Sequence, residues 1–322
     1  MKKSLLALAV LGAFAGAASA QSSVTVFGYL DQGVGKPIGT KDKQVLDGGS
    51  SRLGFRGVED LGGGLAAVFS FEHRFSPDTG MDASTGGTTF WQGHSWVGIK
   101  GGFGQVTLGR HYTAAFTEAQ NQIDPFGADT VAALRNSGLL IPSTGKTRVS
   151  DSVRYEITAA GVKVAATIGE GNQASNTGGP GPDRPWSIGA NYTAGPLFVG
   201  VGYENPQFAN DKLATVGARY TFGPVTARAG YSKGTNVAGA DVKGYLVGAS
   251  VKVGAGEVLA GYAASKNDTT GVDISKKWGL GYRHPLSKRT YLYADVARDS
   301  KVTTPAGDPE KSGYDLGIRH TF

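Results

Sequence analysis

Arg52-Leu53-Gly54-Phe55-Arg56-Gly57, the turn Asp60-Leu61-Gly62-Gly63-Gly64, and then Leu65-Ala66-Ala67-Val68-Phe69-Ser70-Phe71-Glu72-His73-Arg74-Phe75 read as a hairpin written in period two. Leu53 and Phe55 face one way and Arg52 and Arg56 the other. Past the turn, Leu65, Ala67, Phe69 and Phe71 share one face, while Ser70, Glu72 and Arg74 share the opposite one. Side chains alternate across a strand but recur every 3.6 residues on a helix, so alternation held from Leu65 to Phe75 predicts a strand and excludes an amphipathic helix.

The same scheme repeats in both directions. Val24 to Gly35 precedes the hairpin, and His94 to Lys100 turns through Gly101-Gly102-Phe103-Gly104 into Val106 to Gly109. Ser152 to Thr158 turns at Ala160-Gly161 into Val162 to Gly169. Trp186 to Tyr192 turns at Ala194-Gly195-Pro196 into Leu197 to Tyr203, and Leu213 to Thr221 turns at Gly223-Pro224 into Val225 to Lys233. Tyr245 to Val253, Val258 to Ser265, Lys276 to His284, Tyr291 to Arg298 and Gly313 to Phe322 complete the set, which predicts sixteen strands. Glycine and proline at the tight junctions supply the backbone angles that short hairpins need. Tight turns alternate with longer polar connections, the rhythm of an antiparallel transmembrane barrel with turns in the periplasm and loops outside. Aromatics at the ends of the apolar faces, among them Tyr203, Tyr220, Phe222, Tyr231, Tyr245, Tyr262, Trp278 and Tyr282, fit an interfacial girdle. A soluble sandwich would use the same aromatics as core, but sixteen strands would divide into domains and no linker divides this chain.

Composition agrees with an exported, lipid-facing sheet. Lys2 and Lys3, the apolar run Leu5 to Ala18, and Ala18-Ser19-Ala20 have the form of a cleaved signal peptide over residues 1–20. The remaining residues, 21–322, then form one barrel with 30 basic and 26 acidic side chains, a net charge of +4. That mild excess, with no basic cluster on a recognisable module, gives no nucleic-acid signal. The 51 glycines and the absence of cysteine exclude a disulfide-stapled secreted fold. Past Ala20 no stretch is apolar enough for a membrane helix; alternating strands account for a mean hydropathy of only −0.18 in a membrane protein.

Charge marks the inside of the barrel. Arg52, Arg56, Glu72, Arg74, Arg148, Arg154, Glu156, Arg219, Arg228, Lys277, Arg283, Asp295, Asp315 and Arg319 fall opposite the apolar faces. Charges at mid-depth are costly against lipid, so these positions predict a wet lumen, and hence a channel. The long irregular segment His111 to Ser150 is expected to fold inward as a constriction loop, carrying Glu118, Asp124 and Asp129 toward the pore. Opposite it, Arg52, Arg56, Arg74, Arg148 and Arg154 would line the wall and set up a transverse field, with a preference for anions.

Enzyme motifs are missing. Gly93-His94-Ser95-Trp96-Val97 lacks the last glycine of a nucleophile elbow, and Gly35 to Lys41 lacks the ending of a phosphate loop. His73, His94, His111, His284 and His320 show no metal-ligand spacing, so no metal or cofactor is expected. A triad assembled from distant strands would make an outer-membrane hydrolase, the weakest alternative.

Residues 51–65, together with Phe103-Gly104-Gln105-Val106-Thr107-Leu108-Gly109-Arg110, Ser152-Val153-Arg154-Tyr155-Glu156, Leu286-Ser287-Lys288-Arg289-Thr290 and the ending Gly317-Ile318-Arg319-His320-Thr321-Phe322, resemble the general Gram-negative porins of the β-proteobacterial type, the Neisseria, Bordetella, Burkholderia and Comamonas group. The resemblance spans the mature chain. It implies a sixteen-stranded barrel in the cell outer membrane, a homotrimer among outer-membrane lipids and lipopolysaccharide, and a third loop folded into the channel. It also implies that the terminal Phe322 is read by the barrel-assembly machinery. Arg52 and Arg148 fall where anion-selective members carry two constriction arginines; near the third such position, Gln92 to His94, this chain has none. His94, if it faces inward, would make selectivity depend on pH. The expected function is passive diffusion of ions and small hydrophilic solutes. The alternatives are a substrate-selective channel for an organic acid, phosphate or sugar, and a plugged structural or adhesive barrel.

Overall fold

The fold is taken from a computed structural model, which describes residues 22–82, 90–127, 129–170, 184–206, 210–302 and 310–322. Residues 1–20, expected to be a signal segment, and most of the loop at 171–185 lie outside the described residues. Sixteen antiparallel strands run in sequence order: β1 (Ser23–Lys36), β2 (Arg52–Gly62), β3 (Leu65–Ser76), β4 (Ser95–Gly101), β5 (Gly104–Tyr112), β6 (Arg148–Ala159), β7 (Val162–Gly169) and β8 (Trp186–Ala194). They continue as β9 (Leu197–Asn205), β10 (Lys212–Phe222), β11 (Val225–Thr235), β12 (Asp241–Val253), β13 (Gly256–Asn267), β14 (Asp273–Pro285), β15 (Thr290–Asp299) and β16 (Ser312–Thr321). Two short strands pair with the rim ends of longer ones, Gln44–Asp47 with Gln32 to Gly35 of β1 and Met81–Asp82 with Phe75 and Ser76 of β3.

Each strand pairs with the next, and β16 pairs with β1 from Tyr29↔Thr321 to Lys36↔Tyr314, so the sheet closes. Phe322 finishes the seam: its N–H donates to the Gly28 carbonyl at 3.0 Å, and Gly28 N–H donates back to the Phe322 carbonyl at 3.2 Å. Closure satisfies every strand edge within the sheet, the condition for a β-structure to stand in lipid. The tight turns follow from their residues. At Ala160-Gly161, φ is +50° and +79°, the pair of positive values that a two-residue hairpin twisted like its strands requires.

Cross-strand partners point to the same side, so the register fixes both faces. Tyr29, Arg52 and Arg74 are successive partners on one face, and Val26, Phe55 and Phe71 on the other. The second face is apolar and exposed around the barrel, through Leu30, Val97, Leu108, Ile188, Val216, Val247, Leu280 and Leu316. In water such a surface would drive aggregation; against acyl chains it costs nothing. Exposed aromatics band it twice. Trp186, Tyr203, Tyr231, Tyr245, Trp278 and Tyr314 lie toward the long-loop rim, and Phe103, Tyr155, Tyr192, Tyr220, Phe222 and Tyr282 toward the tight turns.

The hydrophobic core of the protein lies on the other face, under residues 113–147. This segment forms α1 (Ala114–Glu118), a 3-10 turn (Gln120–Gln122) and α2 (Arg135–Gly138). Thr113 starts α1 because its hydroxyl accepts the Phe116 N–H at 3.3 Å. Ile123, Phe126, Leu134 and Leu139 are buried with Phe198, Leu246, Leu259 and Ala263 of the wall. Burial of such side chains stabilises by about 1.5–3 kcal/mol each. Glycine makes the close approach possible: a Cβ on Gly200 would stand 2.3 Å from the Glu118 carbonyl oxygen, and one on Gly189 2.5 Å from that of Ala114. Gly217, Gly230, Gly261 and Gly279 receive Ile123, Leu139, Leu134 and Ala132 in the same way. The inward face of β8 to β14 is therefore a glycine floor shaped to the segment that packs on it.

Candidate functional site in the barrel lumen

The polar face surrounds a cavity of about 540 Å³ lined by Tyr29, Arg52, Glu72, Arg74, Tyr112, Thr117, Asn121, Asp129, Arg135 and Arg148, among others. Strand register brings the wall residues together. Arg52 and Arg74 are direct partners on β2 and β3, Glu72 sits two residues before Arg74, and Tyr112 pairs with Arg148 across β5 and β6.

Hydrogen bonds then fix the side chains. Glu72, nearly fully buried, accepts from Arg74 Nε and from Tyr112 Oη, each at 3.1 Å, and lies 3.5 Å from Arg52 Nη1. Tyr112 Oη in turn accepts from Arg74 Nη2 at 2.5 Å and Arg148 Nη2 at 3.2 Å. Arg52 donates to Tyr29 Oη and lies 4.4 Å over its ring. Arg148 lies 4.7 Å over the Tyr112 ring, and Arg135 4.7 Å over Phe116. Planar guanidinium groups stacked on aromatic faces keep their charge while losing mobility.

Arg135 comes from the loop, not the wall. Its backbone N–H donates to Asp124 Oδ2 at 2.8 Å, and its side chain reaches Asn121 Oδ1 at 2.5 Å and Asn136 Oδ1 at 3.2 Å. Among the described residues neither Arg135 nor Arg148 has a carboxylate in salt-bridge contact, and Arg148 Nε is buried without a hydrogen-bond partner. Four guanidinium groups face two carboxylates around the cavity, an excess of two positive charges. One of those carboxylates, Asp129, is itself bound by Arg319 at 2.8 Å.

The other expected site residues are placed elsewhere. Glu118 turns to the wall, where Arg154 Nη2 donates to it at 2.9 Å and Asn191 Nδ2 at 2.5 Å. Arg154 is consumed by the same contact and by Glu156 at 3.1 Å, leaving its side chain 8% exposed. Asp124 is buried inside the loop, accepting N–H bonds from Phe126 at 2.9 Å, Leu134 at 2.7 Å and Arg135 at 2.8 Å. A carboxylate on an irregular segment finds unpaired backbone N–H groups close at hand, so Asp124 serves the loop's own shape, while Glu118 ties the loop to the wall. Arg56 is on the inward face but outside the cavity, exposed, 5.2 Å over Phe27. Phe322 lies at the seam with its ring exposed.

His94 faces inward beside the cavity, its Nε2 2.7 Å from Ser70 Oγ and its ring 5.8 Å from that of Tyr112. Burial holds its imidazole below the usual range; Glu72 opposes this, and Arg148, Arg74 and Arg52 reinforce it. His111 is a satisfied structural residue, held between Ser152 Oγ at 2.8 Å and Thr107 Oγ1 at 2.9 Å. Among the described residues no cluster of histidine and carboxylate could hold a metal ion.

A closed sixteen-stranded sheet, greasy outside and charged within, defines a membrane channel. The model of the Gram-negative porin family matches residues 7–304, and the chain belongs to that family. It is an outer-membrane diffusion porin. An outer membrane porin of Delftia acidovorans is 34% identical over 362 aligned positions, and one of Bordetella pertussis 29% identical over 396, each alignment covering both chains in full. Among solved structures, an anion-selective porin from Comamonas acidovorans superposes with a TM-score of 0.76 at 27% identity, covering 94% of this chain and all of the other. OmpF of Salmonella typhi, at 15% identity and a TM-score of 0.71, shares the fold.

Proposed function

We propose that the porin favours anions, and that residues 113–147 form its constriction by carrying Arg135 toward Arg52, Arg74 and Arg148 of the wall. One observation carries this: the loop contributes a guanidinium to the cavity, while Glu118 and Asp124 are turned away from it. The loop side then carries Arg135 beside a single acid, Asp129, which Arg319 binds at 2.8 Å, so the narrow zone keeps an excess of positive charge in place of the acidic face that the loop sequence suggests. Small anions and neutral hydrophilic solutes pass, and cations meet a barrier. The anion-selective Comamonas porin supports the same sign. Zero-current potentials across a potassium chloride gradient in a planar bilayer test this: the anion side is expected, and a cation-selective potential refutes it.

A second possibility rests on Arg135 and Arg148, whose lack of carboxylate partners leaves them free to hold an oxyanion such as an organic acid or phosphate. Saturable block of single-channel current by one such solute would reveal a substrate-selective channel. In the same proposal residues 1–20 are removed on export, the long loops face outward, Phe322 serves assembly, and three copies associate. The apolar lipid-facing groove at Gln32, Val34, Leu316 and Ile318 offers a surface on which a neighbouring copy would pack. Migration of the detergent-purified protein as a monomer after cross-linking would count against the trimer.

A further inference from the structure

Aromatic rings stand on the wet face of the wall, below the arginine cavity. Phe27, Gly54 and Glu72 are successive partners one inward position nearer the tight turns than Arg52. Thr25, Arg56, Ser70 and Trp96 are partners one inward position nearer again. His94 lies beside Glu72, its carbonyl accepting the Glu72 N–H at 2.9 Å. The ring centroids of Phe27 and His94 are 6.5 Å apart with 10° between the planes, and those of His94 and Trp96 6.0 Å apart with 25°. Three half-buried rings of similar tilt therefore run along the wall from β1 to β4, with Val58 exposed on the same face beneath them.

Lipid does not account for this row, because it faces the lumen. The apolar core of the loop does not cover it either, since that core packs on β8 to β14. A flat apolar surface in water gains when another flat group covers it. Charge beside the row sets the sign of that group. Arg56 is exposed, its guanidinium 5.2 Å over the Phe27 ring, and among the described residues it has no carboxylate in salt-bridge contact. Glu72, the acid in the row, is already bonded by Arg74 and Tyr112. A small hydrophilic anion would use the guanidinium alone and a neutral ring the aromatic row alone. A planar ring that ends in a carboxylate would use both.

We propose that Phe27, Arg56, His94 and Trp96 form a binding site for planar aromatic carboxylates on the tight-turn side of the arginine cavity. The ring lies along Trp96 and His94, and the carboxylate accepts from Arg56. The site needs an open lumen and does not depend on the anion preference proposed above.

Single channels of the full mature protein in planar bilayers provide the test, with cinnamate as the probe. Cinnamate should block the current saturably. Acetate, and 3-cyclohexylpropanoate with the same charge but no flat ring, should block severalfold more weakly. Arg56→Gln should raise the half-blocking concentration about fivefold, the worth of a unit-charge pair at about 4 Å in water. Trp96→Leu should raise it by about the same factor, the worth of one aromatic stack, and Trp96→Tyr should recover most of it. Equal block by 3-cyclohexylpropanoate, or block unaltered in both Arg56→Gln and Trp96→Leu, would overturn the proposal. So would block lost in Arg135→Gln/Arg148→Gln but kept in Arg56→Gln, which would place the carboxylate in the arginine cavity. A second readout follows binding directly. Trp91→Phe/Trp186→Phe/Trp278→Phe leaves Trp96 as the sole tryptophan, whose emission cinnamate should quench over the range in which it blocks. Unquenched emission would also overturn the proposal. A wild type that forms no channels would strike the porin function instead, and the fluorescence titration would still decide the site.

Discussion

Arg135→Gln isolates the loop's contribution to selectivity. The substitution removes one positive charge from a cavity whose excess is two, while the Arg135 backbone N–H, the anchor to Asp124, stays in place. An ion passing about 7 Å from a guanidinium in water interacts with it by about 0.6 kcal/mol. At 0.1 M salt, screening over a Debye length of about 10 Å roughly halves that value. The anion loses what the cation gains, so the permeability ratio of anion to cation should fall about threefold at 0.1 M salt and about sevenfold at low salt. At 1 M salt, with a Debye length of about 3 Å, the difference should nearly vanish. Zero-current potentials of wild type, Arg135→Gln and Arg135→Lys in planar bilayers at several salt concentrations provide the assay. Lysine should restore most of the ratio, since it keeps the charge and loses the stacking on Phe116 and the guanidinium's fixed bonds to Asn121 and Asn136. A ratio unchanged in Arg135→Gln at low salt would refute the assignment of this residue to the conduction path.

Asp124→Ala should free the loop without opening the barrel. Three backbone N–H groups lose their acceptor, at about 1–3 kcal/mol for each one left buried; larger and noisier single-channel currents should accompany unchanged heat-modifiable migration on gels. Gly200→Val should do the same from the wall, because its Cβ would meet the Glu118 carbonyl at 2.3 Å; a conductance identical to wild type would show that the loop does not lie in the path. The depressed His94 imidazole stays neutral through pH 7, so conductance should be flat from neutral upward and change only as pH falls below the ordinary histidine value near 6.5. The sign for stability is the same: the unfolded chain binds the proton first, so stability falls as pH drops through that range. His94→Gln should remove both effects, and a pH step retained in that variant would assign it to another group.

Sequence alternation carried most of the barrel, and its failures are local. Val162 to Gly169 is read to the residue because a positive-φ turn and a glycine bound it. The start of β12 was hidden, since Asp241-Val242-Lys243-Gly244 reads as loop although the strand extends through it into the polar rim. The two short strands, Gln44–Asp47 and Met81–Asp82, pair only at strand ends and carry no apolar face that could announce them. Arg52, Arg74 and Arg148 follow from parity, because a strand residue's side is set by counting. Arg135 does not, because its position depends on the path of an irregular loop over the wall. Two signals for that path were present. Asp124-Pro125-Phe126 is a turn in which the aspartate caps its own backbone, which removes Asp124 from the channel. Gly200 and Gly202, on one face of β9, mark a wall approached by backbone. Strand parity puts Arg154 on the inward face and the long loop carries Glu118 inward, but neither signal shows that the two pair with each other and so leave the cavity.

The account depends on an open, wet passage through a sheet whose outer face meets lipid. Liposomes carrying the purified mature protein should swell in isotonic solutions of small neutral sugars, at rates that fall with sugar size. Liposomes that hold the folded protein yet exclude the smallest sugar would contradict it.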